Sequence, residues 1–128
     1  MSKTTIRTLA IVLAAAVALV AATAVQADRK PTDKQARAIA KVMDLPAKCA
    51  RIRVSTRTPR PKWAALTWRP GPGCEPFAAD GVAVVKKKRR AGRPARWRFV
   101  TAGSAFECPG LYRDVPRRVA RDLGIDCH

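Results

Sequence analysis

Two sets of side chains in this chain have the types and spacing to do chemistry: four cysteines and a block of cations. Cys49, Cys74, Cys108 and Cys127 could serve as thiol nucleophiles, metal ligands or disulfide partners. A structural zinc site usually takes two of its cysteines from positions two to four residues apart, and no pair here has that spacing. The sequence therefore argues for disulfides and against a metal site. The cation block is Lys86-Lys87-Lys88-Arg89-Arg90-Ala91-Gly92-Arg93-Pro94, with Arg96 and Arg98 following on the next segment. Its chemistry is the capture of anions. Lys86, Lys87, Lys88, Arg89, Arg90, Arg93, Arg96 and Arg98 are the candidate polyanion-binding residues. A run of like charge is also what an ordinary solvated loop looks like.

Catalytic chemistry finds little support. The only histidine is His128, the final residue, where the chain is expected to be held least rigidly, so Ser55 and Ser104 lack an oriented base. Disulfide formation removes the cysteines as nucleophiles. Among nine acidic residues, Asp33, Asp80 and Asp114 fall in turns or caps. Glu75 and Glu107 each adjoin a cysteine, and a carboxylate pair would form if the disulfides drew them together. No Gly-rich phosphate loop and no His/acid metal cluster is present. The expectation is a non-enzymatic protein with no cofactor and no metal.

The first 27 residues place these groups in a compartment. Lys3 and Arg7 precede an apolar run from Leu9 to Val25, and Val25-Gln26-Ala27 has the layout of a signal-peptidase site. Residues 1–27 are read as a secretory signal peptide, which leaves residues 28–128 as one small domain outside the cytosol, where its thiols are oxidised. An uncleaved anchor is the rival reading, but the run is Ala-rich and near the lower length limit of a span. Of 26 Lys+Arg, two leave with the signal, so 24 basic residues face nine acids and the net charge is +15. That charge attracts polyanions, although Arg-rich composition alone also arises from GC-rich coding.

The elements that must position these groups follow from periodicity. Thr32 and Gln35 form a capping-box pattern ahead of a helical stripe at Ala36, Ile39, Ala40 and Met43, with Pro46 as its stop. Asp28 to Pro31 is expected to be a mobile lead-in. Ile52, Val54 and Thr56 alternate with arginines over 51–58, and 62–69 resumes as a strand after Pro59-Arg60-Pro61. Val82 to Lys88 and Ala95 to Thr101 read as third and fourth strands, the latter with Trp97 and Phe99 alternating against Arg96 and Arg98. A final helix is expected from an Asp114 N-cap through Val115, Val119, Ala120 and Leu123 to Gly124. Four cysteines allow three pairings. Cys49 and Cys74 lie at the open end of the first hairpin, which favours joining them, and Cys108–Cys127 then ties the last helix to the sheet. Each bond closes a loop worth about 3 kcal/mol in the loop-entropy model.

The fold class expected is α+β: about four short antiparallel strands, an N-terminal and a C-terminal helix against one core face, and two disulfides. The order Cys74, Asp80-Gly81-Val82, Trp97-Arg98, Cys108, Pro116, Asp122-Leu123, Cys127 resembles that of many small exported actinobacterial proteins of unassigned function. The resemblance covers about the last 55 residues and implies fold and compartment only.

Three functional classes follow. The first is an exported module that binds an anionic wall polymer or polysaccharide, with nucleic acid bound only non-specifically and no membrane span kept after cleavage. On duplex DNA, neutralising about five phosphates gives a log–log salt slope near −4 to −5. The second is a protease-inhibitor-like or toxin-like protein offering the basic loop. The third is a hydrolase with a hidden carboxylate pair. Trp63, Trp68 and Trp97 could stack on a ligand, but packing within the fold is the expected role. Trp63 and Trp68 must face opposite ways in a regular strand.

Overall fold

A computed structural model describes residues 28–55 and 62–128. Residues 1–27, read above as a signal peptide, and the Pro59-Arg60-Pro61 break, together with Thr56, lie outside the described residues. Helix α1 spans Asp33–Val42 and opens as its sequence directs. The Gln35 backbone N–H donates to Thr32 Oγ1 at 3.2 Å, and the Thr32 N–H donates to Gln35 Oε1 at 3.1 Å. Two orphan donors of the first turn are thereby satisfied reciprocally. The helix ends before Pro46. Asp44 adopts φ 52, Asp44 N–H donates to Lys41 O, and Leu45 N–H donates to Ala40 O. This paired closure stops the helix, and the proline only follows it.

The sheet is an antiparallel meander in the order β1-β2-β3-β4-β5, with β1 at Asp28–Arg29, β2 at Ala50–Ser55, β3 at Trp63–Trp68, β4 at Val82–Lys88 and β5 at Arg96–Gly103. Four of these are the expected strands. The fifth, β1, is a two-residue pairing of the lead-in with Ser55 and Val54, where a free segment was expected. Its backbone groups find partners on the open edge of β2.

Both faces of the sheet are covered, which corrects the expectation of one core face. On one side α1 brings Ile39 and Ala40 onto Ile52, Val54, Leu66 and Val85. On the other, Trp63, Ala65 and Val84 pack beneath Leu111, Val115, Val119 and Leu123. The second cover is not a single helix capped by Asp114. It is α2, Cys108–Asp114, followed by α3, Arg117–Asp122. Pro116 separates them: it removes an N–H, and the residue before it, Val115, is extended at φ −126, ψ 122. The apolar stripe read across Val115, Val119, Ala120 and Leu123 is buried, as expected.

A second correction concerns β5. Val84 pairs with Thr101 while Val85 pairs with Phe99, so Val100 is an extra residue in a β-bulge. Trp97 packs against the α1-side core, but Phe99 does not join it there and is 53 % exposed.

Both expected disulfides are present. Cys49–Cys74 and Cys108–Cys127 have Cα separations of 5.4 and 5.0 Å. The pairing of Ala50 with Trp68 puts Cys49 at the open end of the β2–β3 hairpin, and Trp68 Nε1 donates to Cys74 O at 3.0 Å. The second bond is reinforced by backbone pairing: Cys108 N–H donates to His128 O, and His128 N–H donates to Phe106 O. The backbone of His128 is therefore tied down rather than loose. Two bonded pairs suggest an oxidising, extracellular environment. Among the described residues, no helix is long and apolar enough to cross a membrane.

Candidate anion-binding surface

The β4–β5 ribbon carries the cation block, and strand alternation divides it. Lys86, Lys87 and Lys88 belong to β4 itself, so the connection is only residues 89–95. Lys87 pairs with Trp97 across the ladder and sits over its ring, with Nζ 5.9 Å from the centroid. Lys86 emerges on the opposite face, 4.9 Å from the Trp63 centroid. Each lysine stem thus covers an indole while its charge stays near water. All three tryptophans are buried or half-buried, as the packing reading requires.

The register then sets like charges opposite each other. Lys86 faces Arg98, and Lys88 faces Arg96. Directly opposed like charges destabilise a sheet, by about 0.2–1 kcal/mol per pair. The tip is fixed by a turn in which Arg93 N–H donates to Arg90 O at 3.0 Å, with Gly92 at φ 74. That turn folds the arginines back toward the strands.

The result is a hollow of about 250 Å³ walled by Lys88, Arg89, Arg90, Arg93, Arg96 and Arg98, with Pro94 completing its lining. Among the described residues, no acid lines it. Six of the eight candidate cations therefore share one concavity. Lys86 and Lys87 stand apart from it and line an adjoining depression with Lys62, Gln35, Lys88 and Arg89. Within roughly one Debye length, about 8 Å at physiological salt, such charges act together on an approaching anion. Guanidinium groups add paired donors that match carboxylate, sulfate or phosphate oxygens.

The residues considered for catalysis are placed differently. Ser55 shares a face of β2 with the exposed Arg51 and Arg53, but at the end of the strand it meets α3, and both Ser55 and Asp122 are buried. Ser55 Oγ donates to Asp122 Oδ2 at 2.5 Å, a bond between β2 and α3 that ties the second helical layer to the sheet. One usable hint of it is legible beforehand: Asp122 is an acid beside the apolar stripe of the last helix. Glu75 and Glu107 are exposed, and the observed disulfides join neither glutamate's segment to the other's. Among the described residues, no group of three His, Cys, Asp or Glu side chains is placed to hold a metal ion. No family model, no curated protein and no solved structure matches this chain, so the surface chemistry itself must carry the functional reading.

Proposed function

We propose that this is an exported, non-enzymatic protein that binds an anionic polymer of the cell envelope through the β4–β5 ribbon. One observation carries the reading: six cations wall a single concavity whose lining, among the described residues, contains no acid. The like-charge pairs Lys86/Arg98 and Lys88/Arg96 support it, because they oppose the stability of the ribbon that holds them. A domain already at +15 without residues 1–27 gains nothing in solubility from concentrating charge there, whereas a polyanion partner relieves the repulsion.

The test is retention of the purified, oxidised protein on cell walls or an immobilised anionic polymer as salt is raised. The triple variant Arg89→Gln/Arg90→Gln/Arg93→Gln is expected to elute at much lower salt. On duplex DNA used as a reference polyanion, its log–log salt slope should be smaller by about 2.7, three released counterions at ~0.9 each. The control removes the same charge elsewhere, at the exposed Arg37, Arg118 and Arg121. Equal loss of retention in that control would show that net charge alone drives binding, and the assignment to the ribbon would fall.

A further inference from the structure

The cationic hollow does not end at the ribbon. Lys88 also lines a second concavity, of about 670 Å³, on the α2 side of the sheet. Its lining differs in kind: the exposed Phe99 and the half-buried Tyr112 supply aromatic surface, Trp63 lies buried at its floor beneath the Lys86 stem, and Pro116 adds an apolar edge. Lys86, Arg113 and Asp114 supply polar groups of both signs. Phe99 is 53 % exposed and occurs where the bulge interrupts β5. Bulges are enriched beside functional sites, where they re-aim a side chain. Tyr112 is held in place by Arg117, whose guanidinium carbon lies 4.8 Å from its ring centroid.

We propose that the two concavities form one continuous site for an anionic polysaccharide, the acid groups seated in the ribbon hollow and a sugar ring laid in the aromatic groove. This rests on the polyanion reading and names the class of polymer. The groove suits a sugar because a pyranose presents an apolar C–H face to an aromatic ring and hydroxyls around its rim. Burying that face removes apolar surface from water. Asp114 accepts from hydroxyl donors, while Lys86 and Arg113 donate to hydroxyl or ring oxygens. A phosphodiester strand without hydroxyls offers Asp114 no backbone donor and meets it as a like charge. The ribbon hollow, by contrast, holds donors only and discriminates for anions without regard to rings.

The experiment measures binding of the oxidised protein to polygalacturonate, which carries rings and carboxylates, to inorganic polyphosphate, which is anionic without rings, and to a single-stranded DNA oligonucleotide. Phe99→Ala is expected to weaken polygalacturonate about tenfold, the scale of one lost aromatic stack, and to leave polyphosphate within about twofold. Phe99→Trp should restore the lost affinity. Phe99 is exposed, and a matched far-ultraviolet circular dichroism spectrum and melting midpoint will show that the variant folds. If Phe99→Ala leaves polygalacturonate unchanged, or weakens the oligonucleotide more than polygalacturonate, the groove is not a sugar subsite although the ribbon still binds anions. If the unmodified protein binds none of the three, the polyanion reading fails and this inference with it.

Discussion

The inner and outer halves of β4 belong to one strand and one hydrogen-bonded ladder, yet they follow opposite rules. Over Val82–Val85 the strand lies between β3 and β5, with Val84 and Val85 fully buried, one on each face. Over Lys86–Lys88 it runs out from the cores, half-buried and then exposed, and its neighbours on β5 become Arg98, Trp97 and Arg96. The inner half is stabilised by side chains and backbone together. The outer half keeps the backbone pairing while its charged pairs repel. The apolar half is thus the foundation on which a self-repelling half is held in a defined shape, and separating the two tasks along one strand leaves each free of the other's constraints.

That contrast is open to breakage at three levels. The largest effect is expected from Val85→Asp, which places a charge among Ile39, Ile52 and Val54 with no partner designed for it. It should cost more than ~4 kcal/mol and leave the chain unfolded, whereas Lys87→Asp, two residues away, should fold normally; urea denaturation followed by tryptophan fluorescence distinguishes them. The second level compares two glycines of positive φ at opposite ends of the ribbon. A Cβ on Gly81 at the base would lie 2.5 Å from Gly103 O, while one on Gly92 at the tip meets nothing within 4 Å. Gly81→Ala should therefore cost ~2–3 kcal/mol from backbone strain plus collision, and Gly92→Ala only ~1 kcal/mol from the left-handed conformation, read as shifts in urea midpoint. The smallest effect is the most discriminating. Lys88→Glu converts the repulsion with Arg96 into an attraction, so it should raise stability by ~0.2–1 kcal/mol while weakening retention on anionic polymers. A variant that loses both stability and binding would show that the outer half is ordinary scaffold.

Much of the architecture was legible because local chemistry decided it. The Thr32/Gln35 capping box, the alternation of Ile52 and Val54, and the span Val82–Lys88 all depend on neighbours in sequence. The disulfide pairing followed from where a hairpin leaves its ends. Of the second helical layer, α3 was legible in its apolar stripe but α2 was hidden for a physical reason: it contains Pro109 and Gly110 and buries only Leu111 within its own span, so it has no periodic stripe to read. One signal of that layer was present in β3, where Trp63-Ala65 and Ala64-Leu66 make both faces apolar, as a strand covered on both sides requires. The eight cations of the candidate site were identifiable by type, but the bulge and the register that gather six of them were not.

By itself the sequence determined four of the five strands, the first helix, the cysteine framework and the concentration of charge, because propensity, periodicity and Coulomb repulsion act along the chain. Only the tertiary structure decided that the sheet is covered twice, that Ser55 lies buried against Asp122, and that the cations of the ribbon surround one hollow beside an aromatic groove. Those outcomes depend on which residues from distant segments meet, and burial and cross-strand register are properties of the assembled molecule rather than of any stretch of it.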